Sequence, residues 1–364
     1  MRVLLILTTI AGLTADVRAG VELWASGYNS NQVHRYDAAT GAFLGTFGPG
    51  GDLHGTQAIT LGPDGLLYVC SEEAQKVLRY DRHTLAYIDE FIFNDPSTPQ
   101  DETGGLNGPT AALFGPDGNL YVLSFNSNSV IRYNGVTGAY IDTFIPTGSG
   151  ALNGPDAGSV FGPDGNLYIA SYFGRRILRY NGTTGLFIDI FINSGSGQAS
   201  LANPRCVLFR SCCSDVLVNS EGLNKVLRYD ATTGTFLNRI VPSVSTPTGI
   251  AIGPDRNLYV SSINDNTVHK YDGQTGAALG LFVPTGSGGL NGVVQIRFFP
   301  LIGDLNCDDK VNLLDVPPFV EALLDSAGYA LAHPGCDATN ADANLDGSID
   351  GNDIAAFVKM LLPF

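Results

Sequence analysis

Residues 115–122 read Gly-Pro-Asp-Gly-Asn-Leu-Tyr-Val, and a few residues later Arg132-Tyr133-Asn134 closes a second apolar run. The first phrase is a tight turn feeding a strand: proline presets φ at the first central position, and aspartate and glycine accept the turn conformations at the next two. It returns at Gly62-Pro63-Asp64-Gly65 and Gly162-Pro163-Asp164-Gly165, and as Gly253-Pro254-Asp255-Arg256. A fifth copy keeps the length but reads Ser211-Cys212-Cys213-Ser214, where a crosslink would stand in for the lost turn chemistry. The second phrase appears six times, as Arg35-Tyr36, Arg79-Tyr80, Arg132-Tyr133, Arg179-Tyr180, Arg228-Tyr229 and Lys270-Tyr271, at spacings of 42 to 53 residues. Five of these are followed by Thr-Gly, the positive-φ glycine of a hairpin, and Thr84-Leu85 is the exception.

Two hairpins per repeat make four short strands, and a period of this length suits a propeller blade better than a helical solenoid unit. The second strands are expected at Val21–Ser26, Leu66–Ser71, Asn119–Ser124, Asn166–Ser171, Asp215–Ser220 and Asn257–Ser262, which counts six blades. The first copy lacks its innermost strand, and an unaccompanied one stands at Gly292–Phe299. That strand is expected to complete blade 1 and close the ring, removing exposed sheet edges. The fold class is therefore mainly β: a six-bladed β-propeller over residues 20–300 with a C-terminal strand closing blade 1. The 45 glycines and 19 prolines agree with many short strands and tight turns.

The turn phrase, the strand order and Pro247-Thr248-Gly249-Ile250 resemble NHL-type repeats over roughly residues 21–300. The resemblance implies a six-bladed scaffold whose relatives include ligand-binding and protein-binding propellers, streptogramin-type lyases, amidating lyases and lactonases. Repeat consensus carries fold and says little of function.

After Pro300 the pattern changes. Residues 304–315 and 342–353 each place oxygen-bearing side chains at loop positions 1, 3, 5, 9 and 12: Asp304, Asn306, Asp308, Asn312 and Asp315, then Asp342, Asn344, Asp346, Asp350 and Asp353. Position 7, Lys310 and Ser348, would give a backbone carbonyl. This is the spacing that wraps a twelve-residue loop around calcium, so two Ca²⁺ ions are expected. A constant offset of 38 residues also relates Phe319, Val320, Leu323 and Leu324 to Phe357, Val358, Leu361 and Leu362, a helical stripe behind each loop. A duplicated loop-and-helix ending in Asp at position 12 resembles a type I dockerin over residues 303–362. The resemblance implies a small all-α module, residues 301–364, that binds calcium and docks on a cohesin-like protein domain. In dockerins loop positions 10 and 11 help select that partner; here they are Leu313-Leu314 and Gly351-Asn352, unlike the small hydroxyl pair of cellulosome members. Asp309 at position 6 of the first loop, where the second has Gly347, marks the first site as the weaker.

Met1-Arg2, the apolar run Val3–Leu13 and Val17-Arg18-Ala19 before Gly20 read as a signal peptide over residues 1–19, so a secreted or cell-surface protein is expected, with no membrane insertion. A formal charge of −15 argues against nucleic acid and anionic membranes as partners. Of six cysteines, Cys206 with the Cys212-Cys213 pair, and Cys307 with Cys336, are candidates for local disulfides.

Aligning the loops that lead into the innermost strands puts Gln57, Thr110, Asp156, Arg205, Thr248 and Val294 in one ring near an end of the channel. Asp156 and Arg205 lie on adjacent blades and are expected to pair. His54 is the histidine expected near this mouth. His54, Asp156 and Arg205 are the candidates there, for recognising a polar ligand of unassigned identity or for catalysis. The evenly repeated Arg or Lys before Tyr is expected to join blade to blade through acidic partners. The sequence favours a secreted, non-enzymatic binding scaffold anchored by the calcium module; the alternative is a streptogramin lyase-like or lactonase-like enzyme with the module as its attachment device.

Overall fold

The computed structural model describes residues 21–48, 50, 52–82, 84–94, 102–195, 199–210, 213–299, 303–306, 311, 313–333, 338–343 and 348–361. Residues 23–298 form one compact unit and the chain from Phe299 onward belongs to another.

The first unit is a six-bladed propeller of six four-stranded antiparallel sheets. Blade 1 is ordered Val293–Phe299, Glu22–Gly27, Gln32–Asp37, Phe43–Phe47, so the late strand is innermost and closes the ring as the repeat count requires. Blades 2 to 6 each run outward in chain order from innermost strands Thr56–Leu61, Pro109–Phe114, Val160–Phe161, Val207–Arg210 and Pro247–Ile252. In blade 1 the second strand sits one residue later than its sequence suggests, because Gly27 takes the place held by Ser71, Ser124, Ser171, Ser220 and Ser262 elsewhere.

The repeated residues each have a mechanical task. In the turn phrase the tyrosine hydroxyl returns to the turn aspartate, Tyr121 to Asp117 at 3.0 Å and Tyr168 to Asp164 at 2.9 Å, fixing the turn to its own strand. The same rings pack edge-on against the next blade, Tyr68 on Phe114 at 4.9 Å and Tyr259 on Phe298 at 4.8 Å. The tyrosines of the second phrase are buried, and Tyr36, Tyr80, Tyr133 and Tyr180 donate to the carbonyls of Ser287, Gly50, Thr103 and Ser149, in the segments that enter each blade.

In blades 2 to 6 the basic residue before that tyrosine acts within its blade, correcting there the expectation of blade-to-blade pairing. Arg79 lies opposite Asp89 in the strand register and Arg132 opposite Asp142. Their guanidinium groups bind those carboxylates, at 2.6 Å for Arg79, and cover Phe91 and Phe144 at 4.6 and 5.3 Å. Arg179 pairs with Asp189 in the same way, Arg228 with Asp215, and Lys270 with the turn Asp255 at 2.6 Å. Cross-strand stacking supplies the geometry and the aromatic face supplies a cation–π contact.

The cysteines also depart from expectation. Cys206 is a free, buried thiol, as is Cys70, so Cys206 takes no part in a local disulfide, whereas Cys213 is disulfide-bonded. Burial in an apolar wall keeps Cys206 a packing residue, and desolvation pushes its thiol up to about 11. Native protein at pH 8 should therefore leave Cys206 and Cys70 unalkylated by iodoacetamide over an hour, with both labelled in urea, a result that peptide mass mapping reads directly.

His34 is fully buried in blade 1, with Nε2 2.9 Å from Ser30 Oγ, and burial pushes it down to about 4. Above about pH 6.5 both folded and unfolded chains hold it neutral. Between pH 6.5 and 4 the unfolded chain takes a proton that the folded one refuses, so stability falls with pH in that window. Trp24, the single tryptophan, packs on Phe47 at 5.1 Å in the same blade and reports the propeller's unfolding. Urea titrations followed by its emission should show His34→Gln losing about 2–3 kcal/mol less than the parent between pH 7 and 4.

The second unit has its own core of Leu305, Val311, Phe319, Ala322, Tyr329, Ala341, Ala343, Phe357 and Leu361. Helix α1 (Val316–Leu324) starts with Pro317 and Pro318 in its first turn, where a missing N–H is tolerated. Helix α2 (Ser326–Ala332) is capped by Asp325, which accepts from Gly328 N at 2.9 Å, and was not foreseen in the sequence. Helix α3 (Asp353–Leu361) is the twin of α1. Phe319 and Phe357, equivalent across the 38-residue offset, stack at 3.9 Å with planes 13° apart. Among the described residues no helix is long and apolar enough to cross a membrane.

Candidate functional site

One backbone hydrogen bond recurs in all six blades and defines the channel mouth. The amides of Tyr28, Glu72, Phe125, Tyr172, Glu221 and Ile263 donate to the carbonyls of Gly292, Gly55, Gly108, Gly154, Asn203 and Thr246. Each bond ties the hairpin after a second strand to the loop entering the innermost strand. Two residues beyond each acceptor come Val294, Gln57, Thr110, Asp156, Arg205 and Thr248, the ring anticipated from the repeats. The mouth therefore has a second ring, Tyr28, Glu72, Phe125, Tyr172, Glu221 and Ile263, which supplies its aromatic faces and two more carboxylates.

Local backbone brings Asp156 to Arg205. Between Pro155 and Gly162 blade 4 carries one residue more than blade 3 between Pro109 and Gly115, and the extra length bulges toward blade 5. There Gly158 makes a parallel bridge to Cys206, its amide donating to Arg205 O at 2.9 Å and its carbonyl accepting from Val207 N at 2.8 Å. A Cβ at Gly158 would lie 2.4 Å from Cys206 Cα, so the approach requires glycine. Asn219, fully buried, accepts from the amides of Arg205 and Cys206 at 2.9 and 2.8 Å and donates to Pro247 O at 2.8 Å, locking the Arg205 backbone.

From this seat Arg205 Nη1 reaches Asp156 Oδ2 at 3.1 Å, its Nε binds Glu221, and the guanidinium lies over the Tyr172 ring at 4.7 Å. Tyr172 in turn donates to Glu221 at 3.1 Å. Burial opposes the Arg205 charge, but Asp156 and Glu221 more than offset it and hold the guanidinium above its ordinary value. Asp156 has no exposed surface, and its burial pushes the carboxyl up while Arg205 pulls it back. Across the mouth, Glu72 is pushed up by burial, opposed by its bond from Gln57 Nε2 and reinforced by the charge of Asp156. Tyr28 donates to Glu73 at 3.2 Å. Thr110 and Thr248 spend their hydroxyls on Pro155 O and Val293 O at 2.8 and 2.7 Å, seam bonds to the next blade.

His54 sits apart from this cluster. Its carbonyl holds the Glu73 amide, but its exposed ring lies 3.2 Å from Asp52 Oδ1 and 3.4 Å from Asn31 Nδ2. The structure thus joins Asp156 and Arg205 and leaves His54 in a surface contact with Asp52.

In the second unit, Asp315 and Asp353, at position 12 of their loops, are fully buried, and Asp304, at position 1 of the first, is nearly so. Asp315 Oδ1 accepts from Leu305 N at 2.8 Å and Asn306 N at 3.0 Å, closing the last loop position on the first. Asp353 Oδ2 accepts from Asp350 N at 2.8 Å. Asn340 braces the start of the first loop through Asp304 O at 3.0 Å and Gly303 N at 2.8 Å. Asp342 is half-buried and Ser348 and Asp350 are described, whereas Asp308, Lys310, Asn312, Asn344 and Asp346 lie outside the described residues, as do residues 1–20 and Cys212, Cys307 and Cys336.

No protein-family model matches this sequence, and no curated protein matches it. Among solved structures it is similar to a chain of the nidogen/laminin complex, with TM-score 0.59 and 16% identity over 77% of this chain and 98% of that one. A streptogramin B lyase gives 0.46 and 20%, covering 65% of this chain and 70% of the other. A virginiamycin B lyase from Staphylococcus aureus gives 0.49 and 15%, covering 75% and 78%. At such identities the likeness is one of fold.

Proposed function

We propose that this chain is an exported binding protein, with an NHL-like propeller that presents a polar-ligand site at the Arg205 mouth and a dockerin-like unit that anchors it through calcium to a cohesin-like domain. The mouth carries this reading. Two adjacent blades commit Asp156, Glu221 and Tyr172 to one guanidinium, while Glu72, Glu73 and Tyr28 line the mouth from blades 1 and 2. Four carboxylates around one cation, interleaved with tyrosines, favour a ligand bearing a positively charged group and hydroxyls.

The C-terminal donor set fits calcium. Buried carboxylates repel one another and resist desolvation unless a cation joins them, and Asp304, Asp315 and Asp353 are buried at loop positions 1 and 12. Loop amides orient the Asp315 and Asp353 carboxylates at the position that closes a calcium loop. Calcium would supply the positive charge on which the loops close. An immobilised chain should capture its partner from a cell-surface extract in calcium and release it in chelator, and Asp315→Ala with Asp353→Ala should abolish capture; capture indifferent to both would overturn the anchoring role.

One observation favours a second reading, a lyase-like or lactonase-like activity. Glu72, a mouth carboxyl that burial pushes up while the bond from Gln57 opposes the shift, is placed to exchange a proton with a bound ligand. Lactone hydrolysis or ring-opening elimination that disappears in Glu72→Gln would establish it, and substrate binding without turnover would reject it.

A further inference from the structure

Below the mouth, the innermost strands of all six blades enclose a cavity of about 830 Å³ that runs to the end of the channel where the Gly-Pro-Asp turns lie. That is the size of a small-molecule site. At equivalent positions, directly before Leu61, Phe114, Phe161, Phe209, Ile252 and Phe298, the six strands contribute a collar of Thr60, Leu113, Val160, Leu208, Ala251 and Arg297, all lining the cavity. Five are uncharged, as equivalent positions around a repeat ring tend to be. Blade 1 alone brings a charge.

Arg297 is three residues, about 10 Å, beyond the mouth residue Val294 along an extended strand. Its Nη1 donates to Ile59 O at 3.1 Å, which fixes the guanidinium over the seam between blades 1 and 2. The side chain is open to the channel yet crowded by protein, and this desolvation pushes it below its ordinary value. A second residue in the same wall breaks the repeat rule. Gly65, Gly118 and Gly165 hold the last turn position at φ 76°, 74° and 76°, and Arg256 holds it at φ 62°, a left-handed backbone that an L-residue adopts only at a cost. Ser214 holds the same position in blade 5 at φ 51°, so what sets Arg256 apart is its charge at the cavity rim. Arg210 also lines the cavity, but both of its forks are spent on Asp215, at 2.7 and 2.6 Å.

We propose that this cavity binds a carboxylate with an apolar body, its carboxyl group on Arg297, its apolar part against the collar, and Arg256 at the rim drawing the anion in. A guanidinium matches a planar carboxylate in a two-point fork, and the uncharged collar matches an aliphatic or aromatic body. In a chain of formal charge −15, a local pair of arginines at one opening also steers an anion to that opening. The site lies beyond the Arg205 mouth and stands independently of the function proposed for it.

Octanoate and octanol are suitable probes, titrated calorimetrically into the full chain. Octanoate should bind the parent protein at least tenfold more tightly than Arg297→Gln, Arg297→Lys should keep part of that difference, and Arg256→Gly should weaken binding about threefold. Octanol should not distinguish the variants. Each variant's Trp24 emission confirms a folded propeller. Equal octanoate affinity in parent and Arg297→Gln, or no octanoate binding by the folded parent at millimolar concentration, overturns the proposal.

Discussion

Replacing Arg205 with methionine should cost the propeller about 3–5 kcal/mol, because the change leaves a buried carboxylate without its cation. Asp156 has no exposed surface, and its ion-pair partner is the Arg205 guanidinium at 3.1 Å. Breaking one side of a buried pair is costlier than removing both, so Arg205→Met with Asp156→Asn should recover most of the loss. Burial already pushes Asp156 upward, and without Arg205 it must rise further, so the penalty should shrink as pH falls and the carboxyl takes its proton. Urea unfolding read at Trp24 measures all three. A single mutant within about 1 kcal/mol of the parent would show that the pair is not the buried, interdependent unit described.

Chelating calcium should melt the C-terminal unit and leave the propeller folded. Helices α1 and α3 each follow a loop whose terminal aspartate, Asp315 or Asp353, is buried. Without a cation the carboxylates gathered in each loop repel one another, and a loop that opens would part the Phe319–Phe357 stack in the small core. A core of this size has little reserve, so metal binding and folding should be one event. Far-ultraviolet circular dichroism should lose the helical signal in chelator and regain it in calcium, while Trp24 emission keeps the value of the folded propeller. Helical signal indifferent to calcium would separate these loops from metal binding.

The ring was legible in the sequence because its most regular parts are turns. Gly-Pro-Asp-Gly admits few backbone conformations, so three copies and the Gly-Pro-Asp-Arg variant located the inner hairpins, and the orphan strand before Pro300 located the closure. The inner-strand ring at the mouth was legible for the same reason, since the loops holding Gln57, Thr110, Asp156, Arg205 and Thr248 align without gaps. What escaped was the facing ring. Tyr28, Glu72, Phe125, Tyr172, Glu221 and Ile263 share no residue type, and only the backbone bond they donate marks them as equivalent. A usable signal existed: in five blades they come directly after the serine that ends the second strand, and in four of these the serine hydroxyl accepts from an amide of the loop opposite, as Ser124 does from Asn107 N at 2.8 Å.

The misread salt bridges have a similar cause. Arg79, Arg132 and Arg179 look like a stripe between blades when counted once per repeat, but each has an aspartate ten residues on, at 89, 142 and 189. Ten residues across a hairpin is a cross-strand pair, and the pairing energy is collected inside the blade. Cys206 escaped for a different reason. Nearness to Cys212 and Cys213 in sequence suggested a bond, whereas its strand faces Gly158 and Ile250 and keeps the thiol in an apolar wall.

Calorimetric titration of the full chain with calcium tests the central claim most directly, because the anchoring role depends on it. Two ions should bind per chain, with one lost in Asp353→Ala and the weaker one lost in Asp315→Ala, and heat should accompany the gain of helix. A chain that takes up no calcium at millimolar concentration, or whose uptake is unchanged in both variants, would contradict the account.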